Sequence, residues 1–440
     1  MFGFANFLLL ALFAAAVFDL IFALARGSGL RGALHGLWNT PHLLFGQQLA
    51  EWRLQLGRIL FAAGLAAYEI SVVFCNSMAR QNWAWVQGVM SPVLEWLAFL
   101  CFGAKILFGT RYTWRELLAG GALYFIARWV YFNSQNIWWI GIVVAVLAAK
   151  DVPLRRPLQV YFASGCAAMA VVLALHFAGI VAPDLTSERM GALRGTYGYG
   201  HPNTFGGLVF GLVLAYALLR AQKVRWVDCL LVFAVGVFLL VGPASRSAAL
   251  CTLAQQAVGH PGMLALTVGL VFCRLRAGHS VPRWWPGTCA GMVGLTAAVS
   301  YLLPLLVIKV GPWNNDIGPA WLAKLDSLLT CRISLTWMAY RLLDVKIAGQ
   351  VFNWPTVDNS FAFALFQFGP VVAALLGILF AAALWGHAKQ GRRVEICCLF
   401  AMLAYAYMEV QPFHLTTNPT AFLLCGAVFA QTSARWQKIE

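Results

Sequence analysis

The chain has 440 residues, of which 61% are hydrophobic and 11% charged, whereas a soluble globular protein carries about 25% charged residues. Long apolar runs exclude a soluble domain, and their continuity excludes a spanning β-barrel, whose strands of about 10 residues alternate in polarity. The net charge of +15 comes from short basic clusters between these runs, a pattern typical of membrane topology rather than of nucleic-acid binding. The sequence therefore predicts an all-α, polytopic transmembrane helical bundle.

In chain order, the apolar runs predict about thirteen membrane spans, within a range of roughly twelve to fourteen. The first run lacks the basic segment of a signal peptide, so it is expected to remain as a helix. Residues 1–440 are expected to form a single transmembrane domain. The predicted limits of the spans are 2–25, 58–76, 92–109, 115–132, 136–150, 158–182, 204–220, 226–243, 247–273, 286–309, 359–385, 394–410 and 418–432.

Basic loops set the expected orientation, because cytoplasmic loops carry an excess of Lys and Arg. With this span count the basic segments all share one side, at residues 26–58, 155–156, 220–225, 274–283, 389–393 and 435–438. The other side then holds two unusual segments, 183–203 and the large loop 310–358. Within that loop, leucines at a spacing of three or four from Pro319 to Val345 predict a helix on the outer membrane surface.

The first outer segment ends in a run of glycines and aromatics followed by His201, Pro202 and Asn203. Glycines suit a tight irregular turn, Pro202 suits a first helical turn, and Asn203 suits a helix cap. A loop leading into a helix thus explains much of this run. It does not explain Arg194 and His201 at the membrane edge, which makes both of them candidate functional residues.

Two further outer arginines are candidates for binding phosphate, since the guanidinium presents a planar fork of donors. Arg246 lies between Ser245 and Ser247 at the end of a span, where an arginine also commonly reaches the lipid headgroups. Arg332 lies in the large loop. Arg341 is nine residues further and on roughly the opposite helix face, where it is expected to pair with Asp344.

Asp358, Asn359 and Ser360 precede the eleventh predicted span. This sequence is common as a helix cap, and a carboxylate at the lip of a membrane cavity can also serve as a general base. Ionisable groups at membrane depth are further candidates by default. These are Asp19, Glu69, Glu95 and Glu409. Neither the cysteine spacing nor the histidines indicate a metal site.

Taken together, three of these segments resemble the O-antigen polymerase and O-antigen ligase superfamily, and most closely its Wzy-type polymerases of Gram-positive exopolysaccharide and capsule pathways. The resemblance covers about residues 185–385. It is carried by Tyr197 to Gly206, by Ser245-Arg246-Ser247, and by Asp358-Asn359-Ser360-Phe361 with Gly369 downstream. The run Gly-His-Pro-Asn at residues 200–203 is its most specific part.

The resemblance implies a GT-C-like helical fold and a metal-independent membrane glycosyltransferase without a cofactor. Such an enzyme transfers glycan from an undecaprenyl-diphosphate-linked donor to a hydroxyl of a lipid-linked repeat unit, outside the bacterial cytoplasmic membrane. The partners implied are these two lipids, the bilayer, a chain-length regulator and a flippase. In this chain Asp358 is the first candidate for the base and His201 the second. Arg194, Arg246 and Arg332 would hold the diphosphate, with Asn203, Ser245 and Asn359 in support.

Three alternatives stay open at the level of the sequence. A ligase of the same superfamily would move finished glycan to a terminal acceptor, but such ligases have His where this chain has Asp358. A flippase for lipid-linked oligosaccharides has a similar number of spans, yet alternating-access transporters keep short connections and repeat symmetry. A structural partner of a glycan assembly complex would carry no chemistry of its own.

Overall fold

A computed structural model describes residues 2–25, 29–46, 49–181, 187–189, 192–242, 261–275, 282–307, 319–329 and 331–429. It is 78% helix and 2% strand. The helices are α1 Phe2–Ala25, α2 Gly29–Asn39, α3 Ala50–Cys75, α4 Ala79–Asn82, α5 Ser91–Phe108, α6 Trp114–Ser134, α7 Ile137–Ala148, α8 Arg155–Phe177, α9 Pro202–Leu219, α10 Trp226–Val241, α11 Pro261–Leu275, α12 Trp285–Leu302, α13 Ala320–Leu328, α14 Arg332–Leu342, α15 Ser360–Phe363, α16 Pro370–Lys389, α17 Arg393–Met408 and α18 Ala421–Val428.

Seven helical segments of the described residues are long and apolar enough to cross a membrane. The helix α7 and most of α10 are apolar but shorter. The chain is therefore a helical membrane protein, as its composition predicts. The seven segments are Asn6–Ala25, Ala50–Cys75, Val86–Phe108, Arg155–Phe177, Pro202–Leu219, Trp285–Leu306 and Pro370–Lys389.

The connecting loops meet in two groups, one at each end of the bundle. At one end, the strands β1 (His42–Leu43) and β2 (Arg111–Tyr112) pair antiparallel. At the other end, which we call the site end, the Met78 N–H donates to the Gly198 carbonyl over 2.8 Å. Both contacts join loops that the charge pattern assigns to the same face. The strands β3 (Ser187–Arg189) and β4 (Ala192–Arg194) form a second antiparallel pair.

The eleventh predicted span, 359–385, is not one continuous helix. The short helix α15 and a π-helical turn at Ala364–Phe368 end at Gly369, whose φ is +87°, and α16 begins at Pro370. A Cβ at Gly369 would lie 2.1 Å from the Ile347 carbonyl oxygen, so the approach of the large loop requires glycine at this position.

The last predicted span, 418–432, becomes helical only at Ala421, where α18 begins, and the residues after 429 lie outside the described ranges. Between α17 and α18, residues 409–420 form only two short 3₁₀ turns. This segment reaches membrane depth, because a Cβ at Gly211, half-way along α9, would lie 3.0 Å from the Thr416 carbonyl oxygen. Irregular backbone at that depth is tolerated where protein surrounds it or where it lines a cavity.

The large loop carries two helices where the sequence predicts one stretch from Pro319 to Val345. Cys331 separates α13 from α14 with a left-handed φ of +66°. Apolar contacts dock both helices on the bundle: Leu322 and Ile333 belong to a cluster with Met408, and Ala339 to another with Val357. The start of α14 is therefore held beside the end of α17.

Candidate functional site

The position of Arg332 follows from how α14 begins. The Asp326 carboxylate, fully buried at the end of α13, accepts hydrogen bonds from the backbone N–H groups of Ile333 and Ser334 over 2.7 and 3.1 Å. It also accepts a bond from the Ser334 hydroxyl over 2.8 Å. A carboxylate at a helix N-terminus satisfies donors that have no partner within the helix. Asp326 thus fixes the first turn and the direction in which Arg332 leaves it.

The Arg332 guanidinium connects two carboxylates from distant parts of the chain. Its Nη1 lies 2.8 Å from Asp358 Oδ2, and its Nη2 lies 3.0 Å from Glu409 Oε1. Its Nε donates to the Met408 carbonyl over 2.9 Å. All three nitrogens of the planar fork are in use, and the side chain is 7% exposed. This geometry holds the guanidinium plane in one orientation.

Asn203 joins the same group from the start of α9. Its Nδ2 donates to Glu409 Oε1 over 2.9 Å, and its backbone carbonyl accepts from Gln411 Nε2 over 3.1 Å. The Tyr405 hydroxyl in turn donates to Gln411 Oε1 over 2.8 Å. The expectation that Asn203 caps α9 is wrong, because its side chain reaches Glu409 instead. We call Arg332, Asp358, Glu409 and Asn203 the arginine cluster.

His201, not Asn203, is the cap residue of α9. Its Nδ1 accepts the Asn203 backbone N–H over 3.1 Å, and Pro202 occupies the first helical position, as the sequence predicts. The His201 side chain is exposed. The described hydrogen bond of its ring therefore stabilises a helix start, whereas Asp358 makes the direct contact with Arg332.

Asn359 and Ser360 tie the Asp358 segment to two neighbouring helices. Asn359 Oδ1 accepts the backbone N–H groups of Phe361 and Ala362, which makes it the cap of α15. Its Nδ2 donates to Ser300 Oγ over 3.0 Å and to the Tyr407 carbonyl over 3.1 Å. The Ser360 hydroxyl donates to the Glu409 carbonyl. Asn359 thus supports the site by holding Asp358 in place, in agreement with the cap that the sequence predicts.

Of the other arginines considered in the sequence, the structure describes the side chain of Arg341 but not those of Arg194 and Arg246. Arg246 and Ser245 lie outside the described residues, and Arg194 ends β4 with its backbone alone described. Arg341 is exposed, with its guanidinium carbon 5.6 Å from the centroid of the Trp337 ring. Among the described residues no ion pair joins it to Asp344, so the expected pairing is wrong. Among the arginine side chains that the structure describes here, Arg332 contacts a predicted site residue, Asp358, and Arg341 does not.

Two aromatic residues of the glycine-rich run pack against the start of α9. The Tyr197 and Tyr199 rings pack on Phe205, with centroids 5.1 and 5.6 Å apart. Tyr199 is fully buried. Tyr199 is therefore closed to a ligand, whereas Tyr197 is half-buried. Tyr197 takes a left-handed φ of +52°, which shapes the turn before α9.

Glu409 is the residue of the arginine cluster that the sequence does not single out. It appears there only as one of four carboxylates at membrane depth, 77 residues from Arg332. One signal does set it apart, since Glu409 and Gln411 end an apolar span together. Paired polar side chains at that position need partners from elsewhere in the fold.

The two carboxylates of the arginine cluster differ in their access to solvent. The Glu409 side chain is 5% exposed, and the Asp358 side chain is 22% exposed. Glu409 contacts both Arg332 and Asn203, whereas the described contact of Asp358 is with Arg332. Asp358 is therefore the carboxylate that a ligand can reach, and Glu409 is the one that orders the cluster.

Comparisons with family models, with curated proteins and with solved structures found no match for this chain. Among the described residues no group of three or more His, Cys, Asp or Glu side chains could hold a metal ion. The side chains of the arginine cluster offer a cationic fork for an anion and a reachable carboxylate for a proton.

Proposed function

We propose that the protein is a polysaccharide polymerase that transfers glycan from an undecaprenyl-diphosphate-linked donor to a lipid-linked repeat unit. The observation that carries this proposal is the arginine cluster. It brings Asn203 of the Gly-His-Pro-Asn run, Arg332 of the large loop and Asp358 of the Asp-Asn-Ser segment to one place. Two of these segments carry the resemblance to the O-antigen polymerases, and the third lies between them.

The proposal includes a location and an architecture. The chain would cross the bacterial cytoplasmic membrane about thirteen times in a GT-C-like arrangement, with the site end outside the cell. A substrate linked to a lipid diphosphate suits that side, because it arrives already activated. A flippase that delivers the lipid-linked units and a regulator of chain length are the protein partners that such an enzyme would need.

The proposed reaction is a substitution at the anomeric carbon of the donor. The acceptor hydroxyl forms the new carbon–oxygen bond, and its proton passes to Asp358. The bond between the anomeric carbon and the diphosphate breaks with its electron pair on the diphosphate. Arg332, together with Arg194 and Arg246, would stabilise the charge that develops there.

The ion pair between Arg332 and Asp358 fits a resting state of this mechanism. In this state the Arg332 guanidinium occupies one oxygen of the Asp358 carboxylate. A diphosphate would compete for the same guanidinium, because its oxygens match the planar fork as well as a carboxylate does. Donor binding would then draw Arg332 away from Asp358 and leave the carboxylate free to accept a proton.

The test is the length of lipid-linked glycan in a strain that lacks the protein, complemented with wild type, Asp358→Ala or Asp344→Ala. Asp344 is an exposed acid of the same loop and serves as the matched control. We expect single repeat units to accumulate with Asp358→Ala, and full-length polymer with Asp344→Ala. Normal polymer with Asp358→Ala would contradict the proposal, and full-length glycan that stays on its lipid carrier in the deletion strain would indicate a ligase.

One observation favours a second candidate, a flippase for lipid-linked oligosaccharides. The helix of the eleventh predicted span is interrupted at Gly369, and interrupted helices often form the binding sites of transporters. The same deletion strain separates the two functions. A flippase defect would leave no lipid-linked repeat units on the outer face, whereas a polymerase defect would leave single units there.

A further inference from the structure

An apolar cleft begins beside the arginine cluster. Its cavity volume is about 120 Å³, and residues of α6, α7, α12, α16, α17 and α18 line it. Tyr301, Ser360, Ala406 and Pro412 line it. Ser360, Ala406 and Pro412 each lie within three residues of Asp358 or Glu409, and the Ser360 hydroxyl donates to the Glu409 backbone carbonyl, so this end of the cleft adjoins the cluster.

The lining is mostly apolar, although it includes Trp139, whose buried Nε1 has no hydrogen-bond partner among the described residues. Its hydroxyl and amide groups are already used within the protein: Tyr301 donates to the Phe361 carbonyl over 3.2 Å, and Asn418 donates to the Pro412 carbonyl over 2.8 Å. The Ser360 hydroxyl donates to the Glu409 backbone carbonyl. A ligand in the cleft would therefore gain from burying hydrocarbon and not from hydrogen bonds to these groups.

The cleft extends along the helices away from the site end. Its lining runs from Trp139 to Val146 on α7 and from Ala373 to Phe380 on α16. Seven residues of helix correspond to about 10 Å. Gly377 lies within this stretch, and a Cβ built on it would meet no atom within 4 Å. The glycine thus leaves open space on the inner wall of the cleft.

We propose that this cleft binds the isoprenoid tail of the donor lipid, in the part nearest its diphosphate. The inference rests on the proposed function. An amphiphile with its anionic head at Arg332 would place hydrocarbon at Ser360 and Tyr301, where the apolar lining begins. Because an undecaprenyl tail is several times longer than the cleft, the remainder of the tail would lie in the bilayer.

The geometry assigns the cleft to the donor and not to the acceptor. In the donor, the tail is attached directly to the diphosphate that leaves, so both must lie beside Arg332. In the acceptor, the attacking hydroxyl belongs to a sugar, and at least that sugar separates it from its own diphosphate and tail. With that hydroxyl at Asp358, the acceptor tail enters the membrane at a different place.

Photo-crosslinking of the full-length protein tests this assignment. The probe is geranylgeranyl diphosphate with a diazirine in its first isoprene unit, and crosslinked peptides are located by mass spectrometry. Gly377→Trp fills the cleft, and Ile378→Trp is the matched control, because Ile378 is 65% exposed on the outer face of the same helix. Gly377→Leu, a smaller change into the same open space, is a second variant in case the tryptophan prevents folding.

We expect crosslinks on the cleft residues of α7, α16 or α17 in the wild type. They should fall at least tenfold in Gly377→Trp and Gly377→Leu, with a parallel fall in polymer, and stay unchanged in Ile378→Trp. Crosslinks elsewhere in the wild type, or equal labelling of the cleft by phosphatidylglycerol with the same diazirine, would overturn the inference while leaving the polymerase intact. If Asp358→Ala polymerises normally while the cleft is still labelled, the proposed function fails and the isoprenoid site stands.

Discussion

Two buried ion networks lie at opposite ends of the bundle, and their partners differ. Away from the site end, Lys150 Nζ lies 3.4 Å from Glu116 Oε1 and 3.8 Å from Asp151 Oδ1, and it donates to the Arg111 carbonyl. Asp151 accepts the Arg111 backbone N–H over 2.9 Å, and Glu116 accepts that of Thr113 over 2.9 Å. Each charge of this network therefore also bonds the backbone of a loop.

The arginine cluster at the site end uses its charges differently. Arg332 bonds two carboxylates and one backbone carbonyl, and the carboxylates come from segments far apart in the sequence. Asp358 keeps a fifth of its side-chain surface exposed. Burial alone thus does not distinguish a functional group of charges from a structural one. The distinguishing feature is the convergence of distant segments, since the Asp151 side chain of the other network is 19% exposed, nearly as much as that of Asp358.

The largest effect is expected from replacing Arg332 by lysine. Arg332→Lys keeps the positive charge but loses the planar fork that holds two carboxylates and would hold a diphosphate. Loss of one such donor to a developing charge costs about 10²-fold in rate. Polymer formation should fall by that factor, measured as repeat units transferred per minute by purified protein in vesicles. Activity within threefold of wild type would show that only the charge matters.

The opposite network should instead affect stability. Lys150→Met removes the cation that forms ion pairs with Glu116 and Asp151, and breaking a buried pair costs about 3–5 kcal/mol. The loss should appear as a lower midpoint of unfolding in detergent, with unchanged activity per folded molecule. Lys346→Met, on an exposed loop residue, is the control for charge removal. Lost activity at normal stability would mean that both networks are functional.

A smaller effect should separate the two roles considered for Asn203. A double-mutant cycle of Asn203→Ala and Glu409→Gln should show a coupling of about 1–2 kcal/mol in the activation free energy. Asn203→Ala removes the hydrogen bond, and Glu409→Gln removes the charge of its acceptor. A residue that only capped α9 would not couple to Glu409. Additive effects would therefore mean that Asn203 acts only at the start of α9 and not through Glu409.

Some of this arrangement can be predicted from the sequence, since local chemistry determines it. Apolar composition determines the helical membrane class, Pro202 marks the start of α9, and Asn359 caps α15 as its residue type predicts. These features depend on neighbours within a few residues. The same local logic places Asp358 and Arg332 among the candidate residues, although it does not show that they meet.

The remainder depends on contacts between distant segments. Hydropathy measures how apolar a stretch is and not whether its backbone is helical, so residues 418–420 are predicted as the start of a span. In the fold they belong to the irregular segment 409–420. Its buried polar groups find partners inside the protein, as when the Tyr161 hydroxyl donates to the Thr416 carbonyl. The contact of Glu409 with Arg332 likewise depends on how α14 docks, which apolar packing against Met408 decides.

The smallest effect is expected for Arg341→Ala, on the same helix as Arg332. The two arginines have the same chemistry and differ in their surroundings, because Arg341 is exposed and lies over the Trp337 ring. An exposed contact of this kind contributes about 0.5–1 kcal/mol to stability. Polymer length and the rate of transfer should stay within about twofold of wild type, measured beside Arg332→Lys in the same preparation. A loss as large as that of Arg332→Lys would mean that the helix acts through its overall charge. The contact of the Arg332 guanidinium with Asp358 and Glu409 would then no longer explain how the large loop contributes to glycan transfer.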